Sequence, residues 1–221
     1  LIVTEQAKPQ AEIIVITRAR LAFARLHRAE QSRNAQGVPQ GTAKFSCTLL
    51  LDPSNVEHQK QIAIVKAAAA KAVTAKWGDR ANWPKANPAT GMGGLILCFG
   101  NGNDLPKVYD GYKDMFYIKC ADTNRPLLGN RKGEPVVEGD PQCPYSGCYV
   151  RARISPWVYF PSAKRPQSAN GLNMNIRSVQ FMEDGPAFGG GGGSRSAEEE
   201  FEALGDAPHG STAVAEDDIP F

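Results

Sequence analysis

The stretch CYVRARISPWVYF, residues 148–160, constrains the fold more than any other part of the chain. Its even positions, Cys148, Val150, Ala152, Ile154, Val158 and Phe160, are apolar. Its odd positions are Tyr149, Arg151, Arg153, Ser155, Trp157 and Tyr159. Side chains alternate faces along a β-strand, so this segment is a strand with one oily face and one face of aromatics and arginines. Pro156 marks a bulge or an edge, where the phase can slip.

The same pattern recurs. In 171–182, Leu172, Met174 and Ile176 oppose Asn173, Asn175 and Arg177. In 115–121, Phe116, Ile118 and Cys120 oppose Tyr117 and Lys119. In 11–26, Arg18 and Arg20 oppose Thr17, Ala19, Leu21 and Phe23. Residues 43–51 form a further strand that ends at Asp52-Pro53. One helix is expected over 55–77, capped by Ser54 or Asn55, rich in alanine at 67–70 and stopped by Gly78. Its stripe Ile62, Val65, Ala69 and Val73 is the buried face, and Lys60, Lys66, Lys71 and Lys76 solvate the outside. Residues 78–94 read as loop, a short apolar run follows at 95–99, and GNRKGEP within 122–147 suggests a hairpin. Strands with one inserted helix predict a mainly β fold, a small barrel with a helical excursion.

Charge divides the chain. From residue 196 onward there are eight acids and no Lys or Arg, which leaves 15 acids against 25 bases elsewhere, a balance of +10. The joint is five glycines, 189–193, a flexible linker by composition. The acidic stretch beyond has too few large apolar residues to offset its ordering entropy. The expected division is therefore a folded body, 1–188, and a disordered linker and acidic tail, 189–221. Five cysteines in a chain of 221 residues suggest reduced thiols and an intracellular setting. No apolar run is long enough to span a membrane, and no secretory signal is visible. The chain opens on Leu1 rather than Met, so a natural start further upstream stays open.

A basic sheet face with aromatic rings has a physical use. Arginine neutralises phosphates, and an exposed ring gives an unpaired base a surface to stack on, worth ~1–3 kcal/mol per base. Duplex DNA hides its base faces, so the pattern favours single strands. An ordinary solvated sheet face also carries Tyr and Arg. Recurrence on several strands of a +10 body tips the balance toward nucleic acid. Enzyme signatures are poor. GMGG at 91–94 lacks the Gly-Lys-Ser/Thr of a phosphate loop, there is no Gly-x-Ser-x-Gly elbow, and His27, His58 and His209 are scattered. Cys143 and Cys148 lack two further zinc ligands at close spacing, and Asp104, Asp110 and Asp114 read as loop solvation. No metal, cofactor or catalytic residue is expected. A protein-interaction adaptor with an incidental basic face is the competing class.

The last residues, EDDIPF, resemble the acidic C-terminal tip of bacterial single-stranded-DNA-binding proteins. The segments SCTLLLDPSN with the following helix to KWGD, then YSGCYVRARISPWVY, then GLNMNIRSVQFMEDGPAFGGG, resemble a family of phage and prophage proteins. That family is related to the OB-fold single-stranded-DNA-binding proteins of lytic phages. Segments 78–114 and 204–215 match no pattern. The resemblance implies an OB-type five-stranded barrel with a helix inserted after the second strand. It implies sequence-independent coating of single-stranded DNA during phage replication or recombination, in the cytoplasm of a bacterial host. The DNA-contacting residues would be Arg18, Arg20, Tyr117, Lys119, Tyr149, Arg151, Arg153, Trp157, Tyr159 and Arg177. At the tip, Ile219 and Phe221 would enter an apolar pocket of a replication or recombination protein. Asp217 and Asp218 would meet basic residues there, and Pro220 would lower the ordering cost. A single-strand annealing mediator is the nearest alternative. Monomer and homodimer both stay open.

Overall fold

The computed structural model describes residues 12–33, 36–86, 94–109, 111–161, 169–186 and 188. The linker, the acidic tail and the tip lie outside the described residues. Seven strands and one long helix follow in order. They are β1 (Ile14–Arg33), β2 (Pro39–Leu51), α1 (Val56–Trp77), β3 (Phe99–Asn101), β4 (Phe116–Asp122), β5 (Leu127–Gly129), β6 (Tyr149–Tyr159) and β7 (Gly171–Glu183).

Five of the strands close on themselves. β1 pairs antiparallel with β2 and β6, β2 with β4, and β6 with β7, while β4 and β7 meet in parallel through Cys120 and Met174. The circuit β1-β2-β4-β7-β6 is an OB-type barrel, with the helix after its second strand. β3 extends it beside β4, and β5 runs parallel to the second half of β7. The expected apolar parity fills the interior. Ile118, Val150, Ala152, Ile154, Leu172, Met174 and Ile176 are buried, together with Leu49 and Leu51 from β2.

α1 forms where its propensities place it. The Asn55 side chain accepts hydrogen bonds from the Glu57 and His58 amides, and Gly78 at φ 74° ends the helix with its N–H on the Thr74 carbonyl. Ile62, Val65, Ala69 and Val73 pack into the core, and His58 and Ala68 join them. A reciprocal pair holds the helix to β1. The Thr17 amide donates to Gln61 Oε1 at 2.9 Å, and Gln61 Nε2 donates to the Thr17 carbonyl at 3.2 Å.

β1 departs from simple alternation. Arg18 and Phe23 have φ of 60° and 48°, in the left-handed region, and the pairing slips between Ile16 and Ala19 and again between Ala22 and Arg25. The buried set therefore passes from Ile14 and Ile16 to Ala19 and Leu21, and then to Leu26. Thr17 and Phe23, expected on the apolar side, are exposed as a result. β1 also continues to Arg33, past the expected end at 26. Its polar half pairs with β2 through Glu30↔Lys44 and Ser32↔Gln40 and carries no apolar stripe. At Pro156 the edge reading applies, because pairing of β6 with β1 ends at Ile154 and the proline lies beyond it. The slips in the β6–β7 pairing fall earlier, between Tyr149 and Val150 and between Arg153 and Ile154, where Met182 and Arg177 are the extra residues on β7. GNRKGEP forms a turn closed by the Gly129–Pro135 bridge and the Asn130 N–H on the Glu134 carbonyl. In the 95–99 run only Phe99 enters a strand.

Candidate nucleic-acid interface

A groove of about 570 Å³ crosses the outside of the barrel. Its floor is a row of outward side chains on successive strands: Phe23 and Arg25 on β1, Ser46 and Thr48 on β2, Lys119 and Ala121 on β4, and Asn173 on β7. The ladders align them, with Arg25 opposite Ser46, Ser46 opposite Ala121, and Thr48 opposite Lys119. Asn173 pairs with Trp157, so β6 continues the row. The slip at Phe23 is what turns its ring outward into the groove.

One wall is formed by Leu105, Pro106, Lys107, Tyr109 and Tyr112, from the described parts of 102–115. Gly102 lies so close to Tyr112 that a Cβ would overlap the Tyr112 carbonyl. Asn103 and Asp114 clip the segment shut, Nδ2 to Oδ1 at 2.9 Å and the Asp114 amide to the Asn103 Oδ1 at 3.0 Å. This seats Tyr112 over Ala22 and Leu50 in a second small core. Burial pushes the Tyr112 phenol up from its usual range, eased by a hydrogen bond with Thr48. Tyr109 stays exposed and meets Phe23 edge-on at 5.2 Å between ring centroids. Tyr112 and Tyr117 follow at 6.1 Å.

The groove is electropositive. Arg25, Lys107 and Lys119 line it, and among the described residues no carboxylate does. Arg25 shares its charge with Glu30 at 3.1 Å, in a pair about half exposed and therefore weak. Lys119 makes no ion pair among the described residues and sits 5.3 Å from the Tyr117 ring. Beyond Asn173, Trp157 is 46% exposed and lies 5.9 Å from Tyr159. Tyr159 packs its ring on Gly171, where a Cβ would collide with it, and partial burial raises its phenol.

The ten residues singled out from the sequence fall into three groups. Lys119 lines the groove, Tyr117 packs beside it against Tyr112, and Trp157 and Tyr159 lie on β6 next to Asn173. Arg18, Arg20 and Tyr149 gather elsewhere, in internal contacts. Arg18 pairs with Glu183 at 2.6 Å and lies over the Tyr149 ring, while Arg20 donates to the Pro186 carbonyl at 2.7 Å and covers Phe188. Arg151 and Arg153 project from the middle of β6, and Arg177 Nε donates to Ser155 Oγ at 3.3 Å. Asp217, Asp218, Ile219, Pro220 and Phe221 lie outside the described residues.

Phe23, Arg25, Lys107, Tyr109, Tyr112 and Asn173 were missed as site residues. The interleaved Lys107, Tyr109, Tyr112 and Lys113 were a usable signal inside 78–114. Asn173 was already visible on the outward parity of its strand.

The five cysteines are free and buried. Burial pushes the Cys98 thiol up to about 12 and the Cys148 thiol up to about 11. Cys143 and Cys148 belong to the turn before β6, where the Tyr145 amide donates to Cys148 Sγ at 3.3 Å and Cys143 Sγ lies 3.3 Å from His27 Nε2. Among the described residues, no group of three His, Cys, Asp or Glu could hold a metal ion, and no helix is long and apolar enough to cross a membrane.

A closed five-stranded barrel with this strand order, crossed by a basic groove with aromatic walls, defines an OB-type binding protein. The family model described as "Enterobacter phage Enc34, ssDNA-binding protein" matches residues 12–214, and the chain belongs to that family, one of binding proteins and not of enzymes. The chain is 31% identical over 191 residues to protein p50 of Acyrthosiphon pisum secondary endosymbiont phage 1, covering 86% of this chain and 93% of that protein. Among solved structures it is similar to the single-stranded DNA-binding protein from bacteriophage Enc34 in complex with ssDNA. There the TM-score is 0.62 at 20% identity, covering 80% of this chain and 89% of that one. A second structure of the Enc34 protein gives a TM-score of 0.57 at 20% identity, covering 86% and 90%. At that identity the two likenesses speak for the fold.

Proposed function

We propose that this chain binds single-stranded DNA without sequence preference, along the groove that crosses the barrel. The observation that carries this is the groove itself, three cations and exposed rings with no carboxylate among its described lining residues. Lys119, Lys107 and Arg25 meet phosphates. Phe23, Tyr109 and Trp157 give bases a surface to stack on, with Tyr117 and Tyr159 as their support. Titration with oligo(dT) tests it through intrinsic fluorescence. Quenching is expected, and Trp157→Ala should remove part of it and weaken binding by ~1–3 kcal/mol. Lys119→Ala should lessen the slope of log affinity against log salt by about 0.7. Unchanged affinity and slope in a Trp157→Ala/Lys119→Ala pair would reject the groove.

The setting fits a phage protein that coats single strands during replication or recombination in the bacterial cytoplasm. The body at 1–188 holds DNA, and the glycine-linked acidic stretch at 189–221 reaches partner proteins. Asp217, Asp218, Ile219, Pro220 and Phe221 are the recruiting element, a cluster of charge beside an apolar anchor. Phe221→Ala should abolish capture of a purified host replication protein that reads such acidic tips. Oligo(dT) affinity should stay nearly unchanged, because the acids remain.

A further inference from the structure

A second basic face lies outside the groove, over β5, β6 and the second half of β7. Arg151 and Arg153 project there, opposite Gln180 and Ser178. Both arginines are exposed, and neither makes an ion pair among the described residues. They line a depression of about 360 Å³ together with Leu127 and Pro135, and among the described residues neither a carboxylate nor an aromatic ring lines it. Gln180 is committed to the scaffold, since its amide donates to the Asn130 and Arg131 carbonyls at 3.3 and 3.2 Å. The turn it holds carries Arg131, Lys132 and Glu134, all exposed, and its Gly133 and Pro135 line the depression.

This face and the groove share β7 but not the same part of it. Asn173 is in the groove, and Ser178 is five residues further, roughly 17 Å along a strand. The two run in different directions. The groove crosses the strands, whereas Arg151 and Arg153 follow one strand. A DNA strand leaving the groove past Trp157 would have to turn through nearly a right angle to follow β6. The surfaces also differ chemically. Rings in the groove cover base faces. A face with arginines and no rings grips the sugar–phosphate backbone through charge-assisted hydrogen bonds and leaves the bases free.

We propose that this second face holds the backbone of a second single strand while the groove holds the first, and that the protein thereby promotes annealing of complementary strands. This rests on the groove being the primary single-strand site. One strand is sequestered by stacking, and the other is presented with its pairing edges outward. Bringing both to one molecule raises their effective concentration for each other.

The test uses the full chain, with an Arg151→Glu/Arg153→Glu pair and an Arg151→Gln/Arg153→Gln pair. Three quantities are measured: affinity for short oligo(dT), the length of long oligo(dT) occupied per protein, and the annealing rate of dye-labelled complementary strands. Short oligo(dT) affinity should change by less than about threefold, because Arg153 lies four residues, about 13 Å, along β6 from Trp157, which exceeds the Debye length of about 8 Å at physiological salt. Occupied length should not change. Annealing should slow by about tenfold or more in the Glu pair and by less in the Gln pair. Annealing within about twofold of wild type would overturn the proposal and leave the face to an acidic protein partner. A shorter occupied length would overturn it in favour of one strand wrapping over both faces. Equal losses in all three would place these arginines in the primary site and also overturn it. Failure of the wild type to bind short oligo(dT) would reject the groove reading instead. Should the Glu pair unfold on a circular-dichroism melt, Ser178→Asp places a carboxylate opposite Arg153 and carries the same expectations.

Discussion

Gly102 and Tyr112 are in van der Waals contact through backbone, and the groove wall depends on that approach. A methyl at position 102 must push the 102–115 segment off the barrel. Gly102→Ala should destabilise by ~1–3 kcal/mol, the usual cost of overpacking, and weaken oligo(dT) binding in parallel. Chemical denaturation and the same fluorescence titration would read both. Burial acts on the thiols in a different way. Cys98 is held protonated until about pH 12, against 9.0 for an ordinary thiol. The folded state thus binds more protons than the unfolded chain above pH 9, so stability is full below pH 9 and falls as pH rises toward 12. The buried Tyr112 and the half-buried Tyr117 push the same way above pH 10. Urea midpoints at pH 8 and pH 10 should show the fall, and Cys98→Ala should lessen it. Some residues could be placed from sequence alone. Lys119 sits in regular parity on β4, and Trp157 keeps the outward parity of β6 although Ser155 on the same parity is buried, so local alternation suffices for both. Phe23 could not, because its outward turn comes from a slip in pairing with β2, which is a tertiary event.

At the scale of elements, α1 is the most self-determined part of the molecule. Its cap, its stop and its apolar stripe are all within its own sequence, and the structure reproduces each. Asn55→Ala removes the acceptor for two amides and should cost ~0.5–2 kcal/mol by thermal or urea unfolding. It should leave oligo(dT) affinity unchanged, because no residue of α1 lines the groove. An affinity loss would mean that DNA reaches the helix. The strands divide by what positions them. β4, β6 and β7 are legible because their inner faces are continuously apolar. The outer half of β1 is polar on both sides and is held only by pairing with β2, so no periodicity marks it. β5 and the 102–115 wall are short or aperiodic. Their places come from the Asn130 turn and from the Asn103–Asp114 clip, contacts between residues that no local pattern connects.

For the molecule as a whole, the barrel's closure is uneven. β2 and β4 pair at seven positions and β6 and β7 at eleven, but β4 and β7 pair at Cys120 and Met174 alone. Ile96, in the run beside β4, extends that junction, with its N–H on the Asn170 carbonyl and its carbonyl accepting from the Leu172 N–H, both at 2.9 Å, and a side chain reinforces it. Asn173 Nδ2 reaches across to the Ala121 carbonyl at 2.7 Å. The cylinder therefore has a seam, the natural place for it to breathe. Amides of β4 and β7 beside the seam should exchange with deuterium faster than those of β1 and β6. Lys119 and Ala121 stand on one side of it and Asn173 on the other, all within the groove. A strand of DNA lying there bridges both lips and acts as a staple. Its arrival should slow exchange at Cys120, Ala121 and Met174, so that the ligand strengthens the junction where β4 and β7 themselves share one rung.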